Sequence, residues 1–491
     1  MLGRVATQAA ERFGDASWYV AADGWSASYR DLDHISDEVA AGLLARGVTE
    51  GDVVGLVLPT IPEYMLAYVA AAKIGAITAG VNARLSPGER AAVLAAAGPA
   101  LVLATADLAP DDHKVEDVVP ASAAGDALGA LRTTDGAPPE LPADPDRPVA
   151  IVFTSGTTGL PKGAVFGDRQ LEFITAVDTA WKWADVPGGA TFAATSFAHL
   201  GPMTKLPGTL LRGGTTYLLP RWRAADALRM IEAHRMASVG GIPTQLALML
   251  QEPDFDAYDL TSLRAIVIGG GPATPSLVRE ARRRFGAALS VRYSCTEAGI
   301  GVGTAFTDPE EDAELSVGRP HPGVELNLRD LDGDVGEVCL RSPAVMSQYW
   351  NEPALTAAAF TADGFVRTGD LGWVDDRGRL RLVGRNKEMY VRGGYNVYPM
   401  EVEAVLAEHP AVASVAIAPR PDEVMGEIGV AVVVARDAGR PPALDELRSY
   451  ASGRLAAYKL PEALVVAEQL PLTAMEKLDR RSLAALVDTV R

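Results

Sequence analysis

The chain is poor in cysteine, short of positive charge and without a long uninterrupted apolar run. Only Cys295 and Cys339 occur among 491 residues. They give no disulfide framework, which fits a reducing cytoplasm. Acidic residues outnumber basic ones, 63 to 45, for a net charge of −18. That balance argues against nucleic acid as a partner. A polyanionic ligand would need basic loops acting locally against the general field. The most apolar stretch, Tyr64 to Val81, is interrupted by Lys73 and Gly75. It predicts helix, turn and strand, and no integral membrane span. Met1 to Gly14 carries no apolar signal core.

What is present is globular in composition, with 48% hydrophobic and 22% charged residues. A chain of this length exceeds one ordinary core, so two or more domains are expected. The organising stretch is Thr154-Ser155-Gly156-Thr157-Thr158-Gly159-Leu160-Pro161-Lys162-Gly163. It follows an apolar run, Val149 to Phe153, that reads as a buried strand. Glycine lets backbone N–H groups turn toward an anion because no Cβ blocks the approach. The hydroxyls donate to phosphate oxygens and Lys162 adds a point charge. This suits a polyphosphate, although on residue types alone a polar surface turn fits equally well. The P-loop of the usual NTPases is excluded: Pro161 precedes the lysine and Gly163 follows it, where Gly-Lys-Ser/Thr is required.

Before that loop, helices and strands alternate. Tyr29 opens a helix with apolar Leu32, Ile35, Val39, Leu43 and Leu44, stopped by Gly47. Val53–Leu58, Ala76–Val81 and Ala100–Ala104 read as strands. Helices start at Pro62 and at Ser86-Pro87-Gly88-Glu89, the latter a capping box with proline in the first turn. Alternation of this kind implies a parallel sheet covered by helices. Pro110 to Pro148 is rich in Pro, Asp, Ala and Gly and is expected to be a loose connection with one short helix near Ala127. The Thr154 loop is then expected to open a second sheet with Thr191–Ser196, Thr215–Leu219, Ser238–Gly241 and Ala265–Ile268. Short strands at Val324–Arg329, Gly336–Arg341, Gly364–Arg367 and Leu380–Val383 predict a small β subdomain. The expected class is α/β. A large N-terminal domain, residues 1–384, holds two parallel-type sheets with covering helices plus the β subdomain; a small α+β domain, residues 385–491, follows.

Further segments carry chemistry. His199 lies in Thr195-Ser196-Phe197-Ala198-His199-Leu200-Gly201. Ile268-Gly269-Gly270-Gly271-Pro272 ends a strand, where bare backbone either admits a flat base or makes a tight strand–helix turn. Arg292-Tyr293-Ser294-Cys295-Thr296-Glu297 sets a hydroxyl beside a carboxylate able to hold Mg²⁺. In Arg367-Thr368-Gly369-Asp370 the aspartate offers two acceptor oxygens to two vicinal donors. Leu380-Arg381-Leu382-Val383-Gly384-Arg385, Lys387, Gly393-Gly394-Tyr395-Asn396-Val397-Tyr398-Pro399 and Lys477 within Leu472–Arg480 complete the series.

In this order the segments resemble the adenylate-forming superfamily over nearly the whole chain: acyl-CoA synthetases, aryl-CoA ligases, luciferases and peptide-synthetase adenylation domains. The resemblance implies that ATP and an acid give an acyl-adenylate and pyrophosphate. It implies that Thr154, Ser155, Gly156, Thr157, Thr158 and Gly159 bind ATP. Gly270, Gly271 and Pro272 would wall the adenine, Asp370 would take the ribose hydroxyls, and Arg385 would reach ribose or phosphate. Lys162, Thr296, Glu297 and Lys477 would be catalytic, with Glu297 the ligand of Mg²⁺. His199, Val177, Arg292, Ser294 and Gly299 would line the acid pocket. Lys387 would be the hinge of a mobile C-terminal domain, and Gly393 and Gly394 would let the pantetheine arm of coenzyme A pass. Ser196, Ser294 and Glu476 depart from the family pattern, which has proline, glycine and glycine there. Coenzyme A is the expected acceptor, because no phosphopantetheine-bearing carrier segment follows Lys477. A carrier protein, an amine acceptor and a nitrite-activating, diazo-forming branch are the alternatives. A non-catalytic nucleotide sensor is opposed by the intact Lys162, Thr296, Glu297, Asp370, Arg385 and Lys477. The acid is expected to be small or aromatic, narrowed by Trp181-Lys182-Trp183, with Arg292 either holding a second carboxylate or salt-bridged at the pocket edge.

Overall fold

The computed structural model describes residues 1–134, 136–155, 161–193, 195–219, 221–473 and 476–488. Six strands form the first sheet in the order Val115–Asp117, Leu101–Ala104, Val53–Val57, Ile77–Gly80, Pro148–Ser155, Pro161–Gly167. All neighbours are parallel except the last two, which make an antiparallel hairpin. The strand leading into the Thr154 loop therefore belongs to this first sheet and does not open a second one. Its apolar run has a reason to be there: Val149, Ala150, Ile151 and Val152 are buried, and an interior position supplies cover on both faces. The connection expected to be loose contributes the edge strand Val115–Asp117, and the expected helix near Ala127 is a pair of 3-10 turns, Ala124–Asp126 and Gly129–Leu131. Three residues of edge strand are too few to leave a periodic signal.

Local chemistry sets the covering helices. Tyr29–Ala45 and Pro87–Ala97 start at capping boxes made by Ser28 with Asp31 and by Ser86 with Glu89. Helix Pro62–Lys73 is buried continuously from Pro62 to Ala71. That explains its lack of a polar face. Gly75, at φ +71°, turns the chain into Ile77–Gly80. Among the described residues no helix is long and apolar enough to cross a membrane.

A second sheet runs Ser238–Gly241, Ala265–Gly269, Ala288–Tyr293, then Val302–Gly303 and Arg319–Pro320; the first three strands are parallel. Ala190–Ala193 and Thr215–Leu218, expected in that sheet, pair instead with the N-terminal Ser17–Val20 and Ser26–Ser28 in a separate four-stranded sheet. Alternation identifies a strand but not a partner this distant in sequence. The β subdomain is the antiparallel sheet Glu325–Asp332, Val335–Arg341, Val366–Val374, Leu380–Arg385. A last sheet, built from Tyr390–Arg392, Tyr395–Val397, Val412–Asp422, Gly426–Ala435 and Ala463–Val466, packs with helices Pro399–Leu406, Leu444–Ser452 and Arg480–Asp488. It has its own core around Tyr390, Val402, Leu406, Ile417 and Val433. The class is thus α/β with mostly parallel sheets, a large N-terminal region and a small α+β C-terminal unit. Strands Pro148–Ser155, Ala265–Gly269 and Ala288–Tyr293 all end, at their carboxyl ends, in the segments singled out above. Open α/β sheets bind ligands at such strand ends.

Candidate active site

One cleft collects most of these residues. Thr154 and Lys162 face each other in the register of the Pro148–Gly167 hairpin. The Lys162 Nζ sits 5.5 Å from the Tyr349 ring centroid. The Tyr349 hydroxyl donates to Glu297 Oε1 at 2.6 Å, and Met346 N donates to the Glu297 carbonyl at 2.8 Å. Tyr349 thus links the lysine to the carboxylate. Sequence reasoning missed it, since a tyrosine beside Trp350 carries no motif. Gly156, Thr157, Thr158 and Gly159 lie outside the described residues, as does the side chain of Ser155.

On the nucleotide side, Gly270 has φ +78°, a left-handed backbone that favours glycine. A Cβ there would lie 3.7 Å from both Lys477 Nζ and Ile242 Cγ2. The lysine of the C-terminal segment therefore reaches the glycine loop at the end of Ala265–Gly269. Burial lowers its pKa, Arg385 lowers it further, and Asp370 opposes both. Gly271 and Pro272 line the same cleft. Asp370, 8% exposed, accepts from Tyr293 Oη at 2.8 Å through one oxygen and from Arg385 Nε at 3.0 Å through the other. Burial raises its pKa from its ordinary value, against the pull of Arg385 and Tyr293. A carboxylate has about four acceptor sites, so capacity for ribose hydroxyls remains. Sequence reasoning named Tyr293 within its segment but gave it no role of its own.

On the acid side, His199 caps helix Leu200–Arg212 and its Nε2 lies 3.2 Å from Asn82 Nδ2. Burial, then the charges of Lys477 and Arg84, take its pKa down to about 4, so the imidazole is neutral near pH 7. Val177, Ser294, Thr296 and Gly299 line the same cleft. Gly299 is required by its backbone: at φ +69° a Cβ would meet the Ala344 carbonyl oxygen at 2.3 Å. Among the described residues Arg292 has no salt-bridge partner. Among the described residues its hydrogen-bond partner is His321 Nε2, 2.9 Å from Nη1. Burial lowers the arginine pKa while Asp178 raises it. His321 is held neutral, pushed down to about 4 by burial and by Arg292 and Lys205. Lys205 pairs with Asp178 at 3.5 Å. Trp181 and Trp183 are not among the residues that line the cleft: Trp181 is exposed, and Trp183 packs 6.2 Å from Phe13. The left-handed turn at Ala180 and Trp181 directs them away. Burial, Glu297 and Asp370 push the Cys295 thiol well above its ordinary pKa, so it is no ready nucleophile.

Lys387 lines the cleft, just after strand Leu380–Arg385. Gly393 and Gly394 do not join it. They form an exposed turn between Tyr390–Arg392 and Tyr395–Val397, at φ +56° and +87°.

Comparison with known proteins accords with this geometry. The model of the AMP-binding enzyme family matches residues 6–350, and that of the AMP-binding enzyme C-terminal domain matches residues 401–477. A medium/long-chain-fatty-acid–CoA ligase of Mycobacterium tuberculosis is 35% identical over 356 residues, 70% of this chain and 62% of that protein. A feruloyl-CoA synthase of an Amycolatopsis species is 34% identical over 472 residues, 93% of each chain. The solved structure of an amide bond synthetase from Marinactinospora thermotolerans superposes with a TM-score of 0.85 at 28% identity, covering 99% of this chain and 100% of that one. With both halves of the family signature matched and their segments converging on one cleft, the chain belongs to the AMP-binding enzyme family and is an enzyme of the adenylate-forming superfamily.

Proposed function

We propose that this enzyme is an AMP-forming acid–thiol ligase: it activates a small or aromatic carboxylic acid with ATP and passes the acyl group to coenzyme A. The observation that carries this is the convergence of Lys477 on the Gly270 backbone, beside Asp370 with its Tyr293 and Arg385 partners. A carboxylate is a poor electrophile. Attack of its oxygen on the α-phosphorus expels pyrophosphate and leaves an acyl-adenylate, whose AMP is a good leaving group. The thiolate then attacks the acyl carbon and AMP departs. Lys162 and Lys477 would offset charge developing at the α-phosphate, with Thr296 donating to it and the Thr154 loop holding the remaining phosphates. Glu297 is the side chain that would hold Mg²⁺. An ion there would be held by this one carboxylate and the substrate phosphates. The ion would supply neutralising charge to those phosphates.

Residues 385–491 are read as a unit that turns about Lys387, bringing Gly393 and Gly394 to the cleft for the thiol step. Their exposed position while Lys477 is inside supports two successive poses. The acid class rests on Arg292, Lys205 and Asp178: a long alkyl chain laid against them would desolvate charged groups without pairing them. The free cysteines support a reducing compartment such as the cytoplasm. Carrier-protein and amine acceptors form the second reading, the amine favoured by the likeness to the amide bond synthetase. ATP–pyrophosphate exchange over fatty, aryl, dicarboxylic and amino acids, followed by CoA-dependent AMP release, tests both. Exchange with palmitate and none with benzoate- or cinnamate-type acids would overturn the acid class. AMP release indifferent to coenzyme A but stimulated by an amine would move the acceptor.

A further inference from the structure

We infer that Glu476 positions Lys477 for adenylation by tying the lysine turn to both halves of the N-terminal region; this rests on the role given to Lys477 above. Glu476 sits in a tight turn closed by Leu472 pairing with Leu478 and by Thr473 N donating to the Lys477 carbonyl at 2.7 Å. Its φ is +59°, a left-handed conformation that a side-chain-bearing residue adopts only at a cost. Glycine would be free of that cost, so the glutamate has to be held by something else. Both of its oxygens are engaged across the cleft. Oε1 accepts from Arg84 Nη1 at 3.0 Å and Oε2 from Gln245 Nε2 at 2.9 Å. Arg84 follows strand Ile77–Gly80 of the first sheet, and Gln245 lies in the first turn of helix Pro243–Leu250, next to the second sheet.

The Gln245 donor is fixed in direction. The side chain is 2% exposed and its Oε1 accepts from Ile242 N at 3.2 Å, which turns the amide nitrogen toward Glu476. Ile242 is also the residue that meets the Gly270 position alongside Lys477. The anchor and the lysine thus converge on one spot. A carboxylate with one charged and one amide donor is held by charge-assisted bonds, and the lysine peptide-bonded to it inherits that placement. Withdrawal of Lys477 from the cleft must break both bonds, so Glu476 favours the adenylation pose over the thiol pose.

The test uses the full chain with Glu476→Gly, chosen because glycine suits φ +59° and keeps the turn, together with Arg84→Met, their double variant, and Lys477→Ala. Pyrophosphate exchange and the conversion of supplied acyl-adenylate plus coenzyme A are measured separately. For Glu476→Gly the expected exchange kcat is about tenfold lower, with KM for ATP near wild type and the thiol half-reaction unchanged or faster. Arg84→Met added to Glu476→Gly should cost little more than Glu476→Gly alone. Rising salt should bring wild-type exchange toward the variant rate. Wild-type exchange in Glu476→Gly, with Lys477→Ala inactive, would overturn the positioning role and leave Lys477 in place. Equal loss of both half-reactions in Glu476→Gly would also overturn it, in favour of a merely structural glutamate. Wild-type exchange in Lys477→Ala would overturn the reading of the lysine itself.

Discussion

Replacing Tyr293 by phenylalanine removes one oxygen and leaves the ring in its buried place. That oxygen donates to Asp370 Oδ2 at 2.8 Å. A hydrogen bond to a buried charged group contributes about 1.5–3 kcal/mol, and one pKa unit corresponds to about 1.4 kcal/mol. Loss of the donor should therefore raise the Asp370 pKa by about one to two units. Thr368 cannot substitute, because its hydroxyl hydrogen is directed to the Val338 carbonyl at 2.7 Å. The sign follows from the charge state. Burial already raises this carboxyl, while Arg385 and Tyr293 hold it down; removing a stabiliser of the anion raises it further. Only the anion offers its full acceptor set to two ribose hydroxyls, so ATP use should fall as pH drops through this pKa. The assay is kcat/KM for ATP against pH, which reports groups of the free enzyme. Tyr293→Phe should move the acid limb to higher pH by about one unit or more, and Arg385→Met should move it in the same direction by less, since that guanidinium is 62% exposed and screened. The same raised pKa means that ionised Asp370 weakens the free fold above its folded-state pKa, a penalty that vanishes below the unfolded value. An acid limb that stays in place in Tyr293→Phe would refute the assignment of Asp370 to the nucleotide.

Lys477→Ala should abolish adenylation yet still turn a supplied acyl-adenylate and coenzyme A into thioester, whereas Lys387→Pro, which fixes φ and deletes an N–H, should spare adenylation and impair thioester formation; both half-reactions are measured on each variant with folding checked by thermal melt. Glu297→Gln should raise the Mg²⁺ concentration needed for half-maximal pyrophosphate exchange by about tenfold or more, and unchanged exchange at limiting Mg²⁺ would remove Glu297 from that role. Gly299→Ala should cost soluble, folded protein, because its Cβ would press to 2.3 Å from the Ala344 oxygen; a wild-type melt would show that the Ala344 backbone yields there.

Much of this was legible in the residues. The capping box at Ser86, the strand endings at Thr154 and Gly269, and the carboxylate at Asp370 are local signals, written in neighbours a few positions apart. What the sequence hid is pairing at a distance. Ser17–Val20 meets Thr215–Leu218, and Pro148–Ser155 returns to Ile77–Gly80. No periodicity encodes which strand lies beside which. The same holds in the cleft. Tyr349 reaches Glu297, His321 reaches Arg292, and Gln245 reaches Glu476, each through side chains with no motif of their own. The tryptophans at 181 and 183 looked suited to a pocket wall by size alone, and a left-handed turn sends them elsewhere.

The hairpin that carries Lys162 also sets limits on insertions and deletions. Ser155 pairs with Pro161 and Thr154 with Lys162, so residues 156–160 are the only ones between the closing rungs. A single residue gained or lost within either strand would slip the ladder and turn Lys162 to the opposite face. It would also carry Gly163 out of its slot against Ile151, where a Cβ would meet Cγ2 at 2.5 Å. Length change is therefore not tolerated within the two paired strands, and Lys162 keeps its face of the sheet through pairing with Thr154.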